Sequence, residues 1–176
     1  HLRLNAIHLH IGSPIYSAQP YVLAITKALE LIEDLRGKGF KVEALDIGGG
    51  FAADYETDKS PSAADYAGQI VPLLKPFHAA GGKVILEPGR TIAANAGVLL
   101  TRVQYIKMGG KKKFVIVDSG MNHLVRPTLY DSFHFIWPSN VAPMHVPQKR
   151  SAEMDLPGLE PADVVGPICE SGDYFA

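Results

Sequence analysis

Ala44-Leu45-Asp46-Ile47-Gly48-Gly49-Gly50-Phe51 turns within a few residues from an apolar run to three consecutive glycines. Short and ending abruptly, Ala44–Ile47 reads as a buried strand that stops at a tight turn. Two other stretches have the same form: Ala6–His10 runs into Ile11-Gly12-Ser13, and Val84–Glu87 into Pro88-Gly89-Arg90. Between the first pair, Val22, Ile25, Leu29 and Ile32 recur at helical spacing until Gly37 and Gly39 stop the pattern. Between the second pair, Tyr66, Ile70, Leu74 and Phe77 share one helical face, with Ser60 predicted as N-cap and Pro61 as the first helical residue. Pro72 and Pro76 each remove a backbone donor, which predicts a kink or break in this second helix. Alternating strands and helices of this kind are βαβ units, so the fold class is α/β with a parallel sheet.

In parallel α/β folds the functional site lies at the carboxyl ends of the strands. All three strand ends are polar or glycine-rich, which predicts one shared site. The glycines suit either a tight turn or a backbone cradle for phosphate, and their spacing is neither a Walker A loop nor a dinucleotide fingerprint. Glu87 at its strand end needs a partner, either Arg90 in a salt bridge or a protonated ring nitrogen on a ligand. His8 and His10 alternate along one strand and share a face, as hydrogen-bonded core residues or as catalytic groups.

After Gly97 the character changes. Val98–Ile106, a Gly109-Gly110 turn and Phe114–Val117 read as antiparallel strands, and the segment from Pro138 to Pro161 as a long loop. Arg126 and Tyr130 lie in a polar run and offer a fork of donors and a phenol to a carboxylate, or a surface salt bridge. Cys169 stands beside Glu170, as a small buried hydrophobe or as a reactive thiol.

The 176 residues carry 17 Lys and Arg against 18 Asp and Glu, a net charge of −1, so neither nucleic acid nor another polyanion is an expected partner. One cysteine makes no intramolecular disulfide and no cysteine-rich metal site; no metal is expected, and the compartment is expected to be reducing, hence cytoplasmic. No run approaches the length of a membrane span, and the first residues lack a signal-peptide layout. The chain opens on His1 directly in a strand pattern, which reads as the interior of a larger protein.

His10–Ser13 (HIGS), Leu45–Phe51 (LDIGGGF), Glu87–Arg90 (EPGR), Phe114–Asp131 (FVIVDSGMNHLVRPTLYD) and Cys169–Asp173 (CESGD), in this order and spacing, resemble the diaminopimelate decarboxylase family. The resemblance covers essentially the whole chain. Its first motifs are shared with ornithine, arginine and carboxynorspermidine decarboxylases, whereas RPTLYD and CESGD point to the diaminopimelate branch. It implies the C-terminal part of a pyridoxal-phosphate-binding (β/α)8 barrel, residues 1–96, followed by part of a β-sandwich-like domain, residues 97–176. It further implies a homodimer with shared active sites, and a Schiff-base lysine upstream of anything that matches here.

Carried over residue by residue, the resemblance has His10 stack on the cofactor ring, and Ser13 with the backbone of Gly48, Gly49 and Gly50 hold the phosphate. Glu87 would keep the ring nitrogen protonated, so that the cofactor remains an electron sink. Arg90, counted with the cofactor site as well, would join Arg126 and Tyr130 on the substrate's distal carboxylate. Cys169, reaching across the dimer, would serve the α-carbon, and Glu170 the distal ammonium. The implied reaction is decarboxylation of meso-2,6-diaminopimelate to L-lysine and CO2. The alternatives are a polyamine-pathway decarboxylase of the same fold and a non-catalytic homologue acting as a binding module. Four positions depart from the family pattern: Pro14 for a usual glutamine, Ala52 for a glycine, Ser119 for an alanine and His123 for an aspartate.

Overall fold

A computed structural model describes residues 3–56, 59–147, 150–151, 154 and 158–176. The chain divides into two compact units, one of His1–Asp54 with Lys59–Gly97, the other of Tyr55–Asp58 with Val98–Ala176.

The first unit holds β1 (Ala6–His8), α1 (Gln19–Gly37), β2 (Ala44–Asp46), α2 (Ala63–Ala79), β3 (Lys83–Ile85) and the short α3 (Gly89–Ala93). Its three strands are parallel in the order β1-β2-β3, with His8 opposite Asp46 and Asp46 opposite Ile85. Each strand is shorter than the sequence pattern predicts. Beyond the ladder the chain keeps single bonds, Leu9 N–H to Asp46 O at 2.9 Å and Ile47 N–H to Ile85 O at 3.0 Å, before the glycines bend it away.

Alternation along the strands sends Ile7, Leu45 and Val84 to one face, where they pack with α1 and α2 in a single apolar core. The buried stripe of α1 is Tyr21, Ile25, Ala28 and Ile32. The predicted Val22 and Leu29 are only half-buried, so the face is centred one residue earlier than expected at those two turns. Helix α1 ends at Gly37, and Gly39 follows with φ of 87°.

Helix α2 buries the predicted Tyr66, Ile70, Leu74 and Phe77. It differs from expectation at two points. The N-cap is Ser62, not Ser60, in a reciprocal capping box with Asp65: Asp65 N–H donates to Ser62 Oγ at 3.2 Å and Ser62 N–H to Asp65 Oδ2 at 2.8 Å. The helix also runs unbroken through Pro72 and Pro76. Both prolines lie on its exposed side, where the carbonyls they leave without a donor can be hydrated.

The second unit is built on a hairpin of β4 (Val103–Gly109) and β5 (Lys112–Val117), with β6 (Asp163–Val165) parallel to β5 on its other edge. The hairpin turn is Gly110-Lys111, one residue later than predicted, with Gly110 at φ of 63°. Residues 98–102, expected to open the first strand, lie outside it. Thr101 Oγ1 and Arg102 N–H both donate to Asp118 Oδ1, at 2.7 and 2.8 Å, and Asp118 N–H donates to Arg102 O at 3.0 Å, so one backbone bond remains and a side chain takes the other donors. Those bonds, Arg102 N–H foremost, hold the Asp118 carboxyl below its ordinary value. Helix α4 (Arg126–Tyr130) and a 3-10 turn at Pro143–His145 complete the elements. Of the long loop expected from Pro138 to Pro161, residues 148–149, 152–153 and 155–157 lie outside the described residues.

The assignment of the α2 cap has a direct test. Ser62→Ala should lower unfolding stability by about 1 kcal/mol, read as the shift in a urea-unfolding curve. Ser60→Ala should not lower it, because the buried Ser60 hydroxyl has no partner among the described residues. The reverse order would return the cap to Ser60.

Candidate active site

Within the first unit the three strand ends meet. Glu87 N–H donates to Gly48 O and Ile15 N–H to Gly50 O, both at 2.9 Å, so the glycine turn after β2 is bonded to the loops after β3 and β1. The approach is too close for a side chain. A Cβ on Gly49 would stand 2.4 Å from the Glu87 carbonyl oxygen, and one on Gly50, whose φ is 93°, 2.1 Å from that of Gly12.

The three glycine amides have different fates. Gly48 N–H donates to Asp46 Oδ1 at 2.9 Å and Gly49 N–H to His10 Nδ1 at 3.3 Å. No bond to the Gly50 amide is found among the described residues. Next to this turn, Arg90 Nε donates to Ser13 Oγ at 3.1 Å. Arg90 is delivered there by α3, which Thr91 Oγ1 ties to the carbonyls of Phe51 and Ala52 at 2.9 and 3.1 Å.

Glu87 Oε2 stands 3.5 Å from His8 Nε2, and no pairing of Glu87 with Arg90, one of the two partners the sequence offered, is found among the described residues. One polar atom each of His8, Asp46 and Glu87 lies within 4.8 Å of the others.

Behind the turn stands Tyr21 of α1, fully buried and stacked on Phe51 with ring centroids 4.7 Å apart. Its hydroxyl donates to Gly49 O at 2.8 Å. Burial, reinforced by Tyr66 nearby, pushes its pKa up to about 12. The sequence reading missed Tyr21 because it lies one position off the stripe assigned to α1.

In the second unit, Arg126 and Tyr130 sit one turn apart on α4, with the guanidinium 5.2 Å from the centre of the phenol ring. Cys169 is exposed, which overturns its reading as a buried hydrophobe. Glu170 Oε1 accepts from Ser171 Oγ at 3.1 Å. The loop carrying both is joined to α4, with Thr128 Oγ1 donating to Gly172 O and Tyr174 OH to Pro127 O at 3.5 Å.

The buried Asp173 organises that loop. It accepts Met121 N–H on Oδ1 at 2.6 Å and Ile168 N–H on Oδ2 at 2.7 Å, tying the 120–122 turn to the cysteine loop. The aspartate closing the CESGD motif was the only signal for it, and spacing alone gave it no role. Two departures from the family pattern meet here, Ser119 Oγ lying 3.2 Å from His123 Nδ1.

Residues 1–94 match the family model of the pyridoxal-dependent decarboxylase, pyridoxal binding domain. The chain belongs to the pyridoxal-dependent decarboxylase family. Among relatives, it is 43% identical over 176 residues to diaminopimelate decarboxylase of Aquifex aeolicus, covering 99% of this chain and 38% of that protein. It is 39% identical over 177 residues to the enzyme of that name from Neisseria meningitidis serogroup A, covering 99% of this chain and 39% of the relative. Among solved structures, diaminopimelate decarboxylase from Helicobacter pylori complexed with L-lysine superposes with a TM-score of 0.78 at 35% identity, covering 99% of this chain and 39% of that one. The chain thus spans about two-fifths of the length of these relatives.

The strand-end geometry fits the cofactor that names this decarboxylase family. A glycine cradle that a single Cβ would fill, one unengaged amide, a hydroxyl and a guanidinium together form a donor set for a phosphate. Glu87, on the loop bonded to the same turn, is an acceptor suited to a protonated ring nitrogen.

Replacing Tyr21 with Phe leaves the buried Gly49 carbonyl without its donor. Tyr21→Phe should therefore lower unfolding stability by about 1–3 kcal/mol, measured by urea unfolding at neutral pH. Unfolded tyrosine ionises near pH 10, whereas Tyr21 in the fold resists ionisation until about 12. Its contribution is full below pH 10 and is lost as pH rises through 12. The Phe variant should lack that component of the alkaline decline.

Proposed function

We propose that the protein decarboxylates meso-2,6-diaminopimelate to L-lysine and CO2 with pyridoxal 5'-phosphate, the last step of lysine biosynthesis. The observation that carries the cofactor assignment is the meeting of Ser13, Gly50, Glu87 and Arg90 at one set of strand ends. Supporting the substrate is the identity of 43% to a diaminopimelate decarboxylase over a stretch that includes Arg126, Tyr130, Cys169 and Glu170.

In this reading Gly50 N–H, Ser13 and Arg90 hold the phosphate, while Gly48 and Gly49 shape the turn. The His10 ring, fixed by the Gly49 amide, packs on the face of the cofactor. Glu87 holds a proton at the ring nitrogen. The cofactor supplies an electron sink for the charge left at the α-carbon when CO2 departs. Arg126 grips the substrate's distal carboxylate with its planar fork and Tyr130 adds a phenol donor. The exposed Cys169 delivers or holds a proton at the α-carbon, and Glu170 pairs the distal ammonium.

The protein acts as a cytoplasmic homodimer with active sites shared between subunits. Residues 1–96 belong to its cofactor-binding barrel and residues 97–176 to its β-rich domain. No helix among the described residues is long and apolar enough to cross a membrane.

Specificity resides in Arg126, because a site built to pair a carboxylate is left with its own charge unpaired by an analogue lacking it. Assayed in the full-length enzyme, diaminopimelate should be strongly preferred over ornithine, arginine and carboxynorspermidine; preference for one of those three would replace the substrate assignment. Arg126→Ala should cut kcat/KM for diaminopimelate by at least about a hundredfold and leave the affinity for pyridoxal phosphate unchanged. Loss of the cofactor in that variant would contradict the division between the two groups of residues.

A further inference from the structure

We propose that His8 is the positioning residue for Glu87, holding that carboxylate on the ring nitrogen of pyridoxal phosphate. The inference rests on the reading of Glu87 given above and extends it to a residue to which that reading gives no contact with cofactor or substrate.

The placement follows from strand register. Residues paired across parallel strands share a face, as do residues two apart in one strand. His8 pairs with Asp46, Asp46 pairs with Ile85, and Glu87 lies two residues beyond Ile85. Ile7, Leu45 and Val84 take the helix side, so His8, Asp46 and Glu87 fall together on the other face. Their polar atoms accordingly lie within 4.8 Å of one another, with His8 Nε2 3.5 Å from Glu87 Oε2.

The backbone of Glu87 is fixed, its N–H on Gly48 O and its carbonyl accepting from Gly89 N–H at 2.8 Å. Its side chain has three rotatable bonds, and His8 is its one ion-pair partner among the described residues. Asp46 is itself pinned by the Gly48 amide. The imidazole is thus grouped with one carboxylate held by a backbone amide and one that is not. With its Nε2 facing Glu87 Oε2, it favours one direction for that side chain. A carboxylate held in this way meets the cofactor without first losing rotamer freedom.

The test uses the full-length holoenzyme with pyridoxal phosphate labelled with 15N in the ring, comparing wild type, His8→Ala, His8→Gln and Glu87→Gln. In His8→Ala the ring-nitrogen signal should move toward its unprotonated position. The affinity of the apoenzyme for pyridoxal phosphate should fall about tenfold, the worth of one hydrogen bond to a charged group. The kcat should fall while KM for substrate holds. His8→Gln, which keeps a donor near the Nε2 position, should restore much of the signal. A wild-type ring signal and affinity in His8→Ala, beside an altered Glu87→Gln, would overturn the role of His8. An unaltered Glu87→Gln would overturn the reading of Glu87 on which that role rests.

Discussion

A turn of three glycines pressed between two neighbouring strand ends is the constraint from which the candidate cofactor site follows. No side chain fits at Gly49 or Gly50, because backbone carbonyls of Glu87 and Gly12 occupy the space a Cβ would need. The same proximity brings Ser13, Arg90, His10 and Glu87 to one place although 77 residues separate Ser13 from Arg90 in sequence. Backbone hydrogen bonds fix the turn from the side of the strands and Tyr21 fixes it from the side of the core. A buried tyrosine donating to a glycine carbonyl links helix packing to site geometry, so the rigidity of the cradle is inherited from the apolar core beneath it.

The second unit solves a similar problem without glycine crowding as its main device. Its cysteine loop has little regular structure, and the backbone amides there need acceptors. Asp173 accepts one of them, Ile168 N–H, and with its other oxygen Met121 N–H of the neighbouring turn, and Thr128 and Tyr174 join the loop to α4. Arg126 and Tyr130 on the helix and Cys169 and Glu170 on the loop are thereby held in one small assembly. Cys169 and Glu170 are exposed, whereas Asp173 beneath them is buried.

Much of this was legible in the sequence where a local rule acts alone. The period of α2, the stop of α1 at Gly37 and the parallel pairing of the three strands follow from spacing and from glycine chemistry. Misreadings arose where two local rules competed. Ser60-Pro61 has the form of a cap, yet Ser62 has Asp65 three residues on and wins by reciprocal bonding. Pro72 and Pro76 break helices when their orphaned carbonyls are buried, and here they face solvent. Residues 98–102 look like strand, but Asp118 satisfies two of their donors. The contacts of Tyr21, His8 and Asp173 reach partners 28, 79 and 52 residues away, a distance at which spacing carries no information.

The central claim is that the phosphate of pyridoxal phosphate sits in the cradle after β2 with its ring nitrogen on Glu87. An electron-density map of the full-length enzyme crystallised with the cofactor tests it most directly. The account predicts the phosphate within hydrogen-bond distance of Gly50 N–H, Ser13 Oγ and the Arg90 guanidinium, and the ring nitrogen on a Glu87 carboxylate oxygen. Phosphate density away from the glycine turn, or a ring nitrogen paired with another group, would contradict it.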